Sequence, residues 1–336
     1  MILKDKRKLD ISYVPEKTPC REEERRRLSL LLEDGHALIS GPVGTGKTLL
    51  ARHADGDVYV NCYTHKSEHK VLEAILRQTR PKFSTAGLTS QRLWQEIEGD
   101  HLFILDEIDG MLPDDLVHFA YTLSRHEEIG ATLRYVAVTR SALMLKQLMN
   151  DPATWSTFAE KAVVELKPYS KEEMVDILAY RAGEALMHDG YDDDILSLIA
   201  DIATTSAGHM RAGIDVLRTA AMVADQQGHD MIQPEDVREA NREGWLEGIE
   251  ELERRPVMVL LAVARSCMQS AYVSVEDIKA VYASVCEEHD MEPQPVEDDL
   301  QLLCTWEWMH ESDRGYTILN SPAELLAKEI ENLLNH

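Results

Sequence analysis

The sequence predicts an α/β base built on a parallel sheet, then an all-α lid, then a C-terminal winged-helix domain. Three observations carry that division. Strand-like apolar runs alternate with helical patterns over the first 165 residues or so. From Ser170 the pattern becomes purely helical. Beyond Pro256 come three helical segments and a short β-like pair.

In chain order, a basic stretch (Lys4, Lys6, Arg7, Lys8) precedes a charged helix over 21–34, with Leu28, Leu31 and Leu32 on its apolar side. Residues 37–40 form a short apolar run that ends in a glycine-rich turn, and a helix begins near Thr48. Residues 58–60 are rich in β-formers, and 70–78 are helical in pattern. The run 101–105 is apolar and ends in acids, as a strand buried on both faces requires, and 133–138 is a second such run. Ser170 with Glu173 makes a capping box, which opens helices near 171–187, 193–205, 210–227 and 235–244. Pro234 sits where the first turn of a helix tolerates it. After a charged boundary at 250–256, helices are expected at 256–269, 274–288 and 295–304, then a β-like pair, 306–310 with 315–319, and a last helix after Ser321 and Pro322. The expected domains are therefore 1–168, 169–250 and 251–336.

The 336 residues include 60 Asp/Glu against 35 Lys/Arg, a formal charge of −25. An apolar share of 44% excludes a disordered, collagen-like or disulfide-scaffold chain. The apolar run at 257–263 is far shorter than the ~20 residues that span a bilayer. The charged N-terminus lacks the apolar centre of a signal peptide. Five cysteines with no C-x-x-C pair fit a reducing compartment. A soluble, cytoplasmic protein with no membrane partner is expected. The charge is uneven: +3 over 1–30, −5 over 31–168, −11 over 169–249 and −12 over 250–336. So acidic a body repels phosphate polyanions at long range, and nucleic-acid binding would need local basic spots.

The strongest motif is Gly41-Pro42-Val43-Gly44-Thr45-Gly46-Lys47-Thr48, a full G-x-x-x-x-G-K-T between a strand and a helix. Its glycines let backbone N–H groups turn inward around phosphates, and the helix N-terminus adds positive potential. Lys47 supplies a point charge to those phosphates and Thr48 a hydroxyl to Mg²⁺. The partner acids lie in Leu105-Asp106-Glu107-Ile108-Asp109. Asp106 is expected to organise the Mg²⁺ shell, Glu107 to activate the attacking water, and Asp109 to brace the following turn. ATP and Mg²⁺ are the cofactors this pattern calls for. His65-Lys66-Ser67-Glu68-His69 has the spelling of an inverted zinc-protease motif, but its place favours a solvated helix start.

This combination resembles the AAA+ ATPases, and within them the archaeal origin-recognition and replication-initiator family. Tyr13-Val14-Pro15-Glu16 with Arg21-Glu22-Glu23 looks like the family's N-terminal box, which implies that Val14 and Pro15 pack near the adenine. Asn61-Cys62-Tyr63 is similar to the family's segment after the second strand. Gly208-His209-Met210-Arg211 looks like the start of the sensor-2 helix, which implies that Arg211 reaches the γ-phosphate. The resemblance implies a protein that binds origin duplex DNA and helps load the replicative helicase, with ATP as a slow switch. It also implies a monomer or weak oligomer on DNA.

Two departures stand out. The sensor-1 asparagine expected after Val138 is absent, and Thr139-Arg140 stand there; the Thr139 hydroxyl is the group left to orient water. Asp151-Pro152 is followed by Ala153 where the family places an arginine finger. A finger supplies ~10³–10⁵ in rate in related phosphoryl transfers, so weak intrinsic hydrolysis is expected.

DNA contacts are sparse. The presumed recognition helix carries Glu297-Asp298-Asp299, whereas major-groove readers use Arg, Lys, Asn or Gln. Arg314 in the wing turn and Arg125 on the base are the candidate DNA residues, with the basic N-terminal stretch. An ATP-gated module whose acidic winged helix binds a protein partner is the alternative. An ATP-dependent transcriptional regulator is a third reading, which leaves the N-terminal box unexplained.

Overall fold

Strands buried on both faces need helices on both faces, and the base is built that way. In the computed structural model, which describes residues 1–33, 35–125, 132–242 and 248–335, the base runs α1 (Glu22–Glu33), β1 (His36–Ser40), α2 (Lys47–Arg52), β2 (Val58–Asn61), α3 (Glu68–Thr79), α4 (Ser90–Gln95), β3 (Asp100–Asp106), α5 (Pro113–Leu123), β4 (Thr132–Thr139), α6 (Ala142–Met149), α7 (Pro152–Phe158) and β5 (Val163–Glu165). The five strands are parallel in the order β2-β3-β4-β1-β5. Alternate residues enter two cores: Leu38, Val60, Phe103, Leu105 and Tyr135 pack with α3 to α7, while Ile39, Leu102, Ile104 and Val138 pack with α1 and α2.

The chain divides into two compact units, Val14–Tyr169 and Met1–Tyr13 with Ser170–His336. The second comprises α8 (Lys171–Ala185), α9 (Asp193–Thr205), α10 (Met210–Gln227), α11 (Pro234–Ala240), α12 (Arg254–Cys267), α13 (Val275–Glu288), α14 (Glu297–Thr305), β6 (His310–Ser312), β7 (Gly315–Thr317) and α15 (Ala323–Leu334). The expected capping box forms at Ser170–Glu173, and a second one stands at Ser274–Asp277. Among the described residues no helix is long and apolar enough to cross a membrane.

The division differs from the sequence expectation in two ways. Residues 1–13 were expected with the base, yet they are strapped to the lid. Ile2 and Leu9 are buried, the N–H groups of Lys4 and Asp5 both reach the Ala185 carbonyl, and buried Arg181 donates to the carbonyls of Lys8 and Asp10. Lid and C-terminal segment, expected as separate domains, also form one unit. Arg238 of α11 is fully buried and donates to carbonyls of Cys267, Ser270, Ala271 and Ile318.

The C-terminal hairpin is shorter than expected. Trp306 and Trp308 spend their N–H groups on Leu302 and Leu303 at the end of α14, and Glu307 turns through φ +61°, so pairing starts only at His310. Glu68, expected in a solvated helix start, is buried and accepts hydrogen bonds from Trp94 Nε1 at 2.8 Å and His118 Nδ1 at 2.7 Å.

Candidate nucleotide site

The phosphate loop leaves the end of β1 and returns at the start of α2. Gly44 and Gly46 take φ +79° and +83°, left-handed values that suit glycine. Gly41 is needed for a different reason: a Cβ there would lie 2.5 Å from the Leu166 carbonyl oxygen, just past β5. Leu166 cannot retreat, because its own N–H donates to Ser40 at 2.7 Å. Overpacking of this kind costs about 1–3 kcal/mol, so Gly41→Ala is expected to weaken ATP binding roughly tenfold with secondary structure retained. Titration of a fluorescent ATP analogue alongside circular dichroism checks this; unchanged affinity would show that the loop tolerates the methyl.

Inside the loop, Thr45 is buried and its hydroxyl donates to the Pro42 carbonyl at 2.9 Å, while Lys47 Nζ reaches the same oxygen at 2.5 Å. Val43 is exposed at the loop's tip. The loop's outer side is braced by Arg21, which belongs to the N-terminal box. Its buried guanidinium donates to the carbonyls of Thr45 at 3.4 Å and Lys167 at 2.6 Å, and lies 3.9 Å over the Tyr169 ring. In the same box Pro15 is buried and Val14 is exposed; the Pro15 carbonyl accepts from His53. Burial and the nearby Arg25 charge hold that histidine below its ordinary pKa, so it favours the neutral form.

The acids stand at the end of β3. Asp106 is buried and accepts three hydrogen bonds: from Thr48 Oγ1 at 3.0 Å, the Tyr59 hydroxyl at 2.7 Å and the Glu107 N–H at 3.1 Å. Burial and the neighbouring carboxylate raise the Tyr59 pKa, so this phenol stays a donor. Thr48 and Asp106, 58 residues apart, thus meet through their oxygens. Hard oxygen donors from one hydroxyl and one carboxylate fit Mg²⁺, which keeps water and phosphate oxygens for its other positions.

Glu107 follows with φ +52°, and Asn61 Nδ2 donates to its Oε2 at 3.0 Å. Asn61 is itself held by the Thr64 N–H on its Oδ1 at 3.0 Å. The amide fixes the carboxylate and engages one oxygen that a base would use. Neither Tyr59 nor Asn61 was assigned a site role from sequence. The signal lay in the register: Asn61 is opposite Asp106 across β2 and β3, and that pairing is a property of the sheet order.

Thr139 departs from expectation. It is 1% exposed, and its hydroxyl closes on the backbone of Ser141 at 3.4–3.5 Å, so it is spent on the turn that starts α6. The residue at the surface is Arg140, whose Nε donates to Asp109 Oδ2 at 2.8 Å. Asp109 is thus joined to the residue after β4, and not to a group of the turn that follows it.

Arg125 is half-buried with its guanidinium 4.0 Å over the Tyr121 ring; its neighbour His126 lies outside the described residues. In the other unit, Arg211 is exposed in the first turn of α10, and Arg314 is ion-paired with Asp194 of α9. The arginine of the β6–β7 turn is thus already engaged with a carboxylate of the lid.

Comparison with known proteins agrees with this geometry. Residues 37–146 match the family described as "ATPase family associated with various cellular activities (AAA)", and residues 175–242 match the "Cdc6 AAA+ ATPase-type lid domain". The chain is 27% identical to an ORC1-type DNA replication protein 1 of Methanothermobacter thermautotrophicus, over 71% of this chain and 69% of that one. Its fold is similar to that of Cdc6p from Pyrobaculum aerophilum, with a TM-score of 0.86, 27% identity and coverage of 100% and 99% of the two chains. It is also similar to the Aeropyrum pernix ORC1 protein, solved in complex with DNA, with a TM-score of 0.62, 25% identity and coverage of 99% and 97%. Base, lid and whole-chain fold point the same way: an AAA-type base is followed by a Cdc6-type lid, in a chain similar to archaeal ORC1-type and Cdc6 proteins.

Proposed function

We propose that this protein is a replication initiator that binds ATP·Mg²⁺, engages origin duplex DNA and helps load the replicative helicase, with ATP acting as a slow switch. The observation that carries the reading is the meeting of Thr48 with Asp106 beside a complete phosphate loop, in a chain similar over 71% of its length to an ORC1-type replication protein and in fold over its whole length to Cdc6p. The loop N–H groups and Lys47 would hold the phosphates, Thr48 and Asp106 the Mg²⁺, and Val14 and Pro15 the adenine side, with Arg211 assigned to the γ-phosphate. The metal supplies charge neutralisation on the phosphates. Glu107 takes the proton of the attacking water. Its engagement by Asn61, and alanine at position 153, support slow turnover.

Binding of duplex DNA by this chain follows from similarity to a relative solved with DNA, and its own surface makes the contacts few. Fluorescence anisotropy of labelled origin-like duplex with ATP·Mg²⁺ tests it. Three phosphate contacts would weaken binding roughly 40-fold between 50 and 200 mM salt. No binding at low salt would remove the initiator reading.

One observation favours a second reading. The exposed side of α14 presents Glu297, Asp298 and Gln301, and Trp306 just beyond it is 52% exposed. Carboxylates beside an exposed indole suit a protein partner better than a phosphate backbone. An ATP-gated protein-binding module is what absence of DNA binding would leave.

A further inference from the structure

The β6–β7 turn is joined to the lid by two ion pairs that differ sharply in burial. The inner one centres on Asp201 of α9, whose side chain is only 3% exposed. It accepts from Lys171 Nζ at 2.9 Å and from the Tyr272 hydroxyl at 2.6 Å. The same ammonium reaches into the turn, to Ser312 Oγ at 2.6 Å and Asp313 Oδ1 at 2.5 Å. A buried carboxylate held by a cation is costly to break. On its other side the hairpin pairs with Val273, through two hydrogen bonds of 2.9 Å between the backbones of Val273 and Tyr316. Gly315 lets it approach so closely: its φ is +123°, and a Cβ there would lie 2.5 Å from the Val273 carbonyl oxygen. The backbone that carries Arg314 is therefore fixed from both sides.

The outer pair joins Arg314 to Asp194 in the first turn of α9, and it is wet, with the two side chains 38% and 60% exposed. Nη1 alone bonds the carboxylate; Nε and Nη2 make no hydrogen bond among the described residues. An exposed pair of this kind contributes little and is screened by salt. The turn's other charged side chain, Asp313, is already spent on Lys171.

We propose that Asp194 stands in for a DNA phosphate: the lid carboxylate occupies the Arg314 guanidinium until duplex DNA displaces it, and so holds down the affinity of the turn for the phosphate backbone. The inference rests on the reading of this chain as a duplex-binding protein. A backbone phosphate carries one negative charge, as the carboxylate does, and both take a guanidinium through parallel N–H bonds, so the exchange is between like acceptors. The displaced Asp194 stays beside the polyanion, and that repulsion opposes binding. The exchange needs only the Arg314 side chain to move, because the inner pair and Val273 keep the hairpin in place.

The test is fluorescence anisotropy of a labelled origin-like duplex with ATP·Mg²⁺ at low salt. It compares the full-length protein with Asp194→Asn, Asp193→Asn, Arg314→Gln and the double variant Asp194→Asn with Arg314→Gln. Asp194→Asn is expected to tighten binding about fivefold, the upper range for an exposed ion pair. The fold is preserved in this variant because Asp192, which caps α9 by accepting from the Ile195 N–H at 2.8 Å, is untouched; circular dichroism checks it. Asp193 is exposed one residue away and makes no ion pair among the described residues. Asp193→Asn removes the same charge without freeing the arginine, so it should change affinity by less than about twofold. In the Arg314→Gln background the gain from Asp194→Asn should vanish, which the double-mutant cycle reads directly. Equal tightening by the two aspartate variants, or a gain that survives without Arg314, would mean a general charge effect and overturn the proposal. Unchanged or weaker binding by Asp194→Asn, with the wild-type chain bound, overturns it and leaves the duplex-binding reading in place. Binding by neither the wild-type chain nor any variant removes that reading, and this inference with it.

Discussion

Arg238→Ala is expected to lower the stability of the unit formed by Met1–Tyr13 and Ser170–His336 by about 3–5 kcal/mol, the range for breaking a buried charge network. Arg238 is fully buried on α11, and its guanidinium donates to Ile318 O at 3.0 Å, Cys267 O at 2.7 Å, Ser270 O at 3.0 Å, Ala271 O at 3.1 Å and Thr317 Oγ1 at 3.3 Å. Glu235 one turn earlier balances the charge at 2.7 Å. Alanine would leave those carbonyls dry and unpaired and open a cavity as well. In a unit of this size the melting transition should fall by roughly 10 °C. Hydrogen exchange on the full-length protein assigns the loss: protection should drop in α11, the end of α12 and β7, with the base sheet unchanged. Arg238→Met separates the causes, because methionine refills much of the volume and donates nothing. Full recovery with methionine would mean that packing, and not the donor set, holds lid and C-terminal segment together.

Glu107→Gln is expected to reduce single-turnover hydrolysis by about 10²–10⁴, the contribution of a general base, with ATP affinity changed by no more than about twofold. Glutamine keeps the length and can still accept from Asn61, so the contact at 3.0 Å survives. What it cannot do is take a proton. Binding should persist because the phosphates are assigned to the loop and Lys47, and Thr48 and Asp106 are untouched. Radiolabelled ATP with enzyme in excess reads the slow rate over hours. An unchanged rate would take the base assignment away from Glu107.

How much of this was legible beforehand can be judged residue by residue. The phosphate loop and the acids after β3 were readable because their chemistry demands particular residues at fixed short spacing. The strands at 101–105 and 133–138, the Ser170–Glu173 capping box and the lid helices were readable because periods of 2 and 3.6, and caps three residues apart, are local rules. Helix ends moved by a few residues, as fraying turns do.

What sequence alone determined is thus the order of elements, the phosphate loop and its acids, and the family resemblance. Tertiary structure decided the partnerships: Tyr59 on Asp106, Asn61 on Glu107, Arg140 on Asp109, Arg238 within the C-terminal segment, and the N-terminal strap on the lid. These pairs lie from 29 to 173 residues apart. No periodicity links such positions; they meet because strand order, register and helix packing bring them together. The contacts on Asp106, around Arg238 and along Arg181 are buried or half-buried, and there the partner is set by which acceptor the fold leaves within reach and out of water.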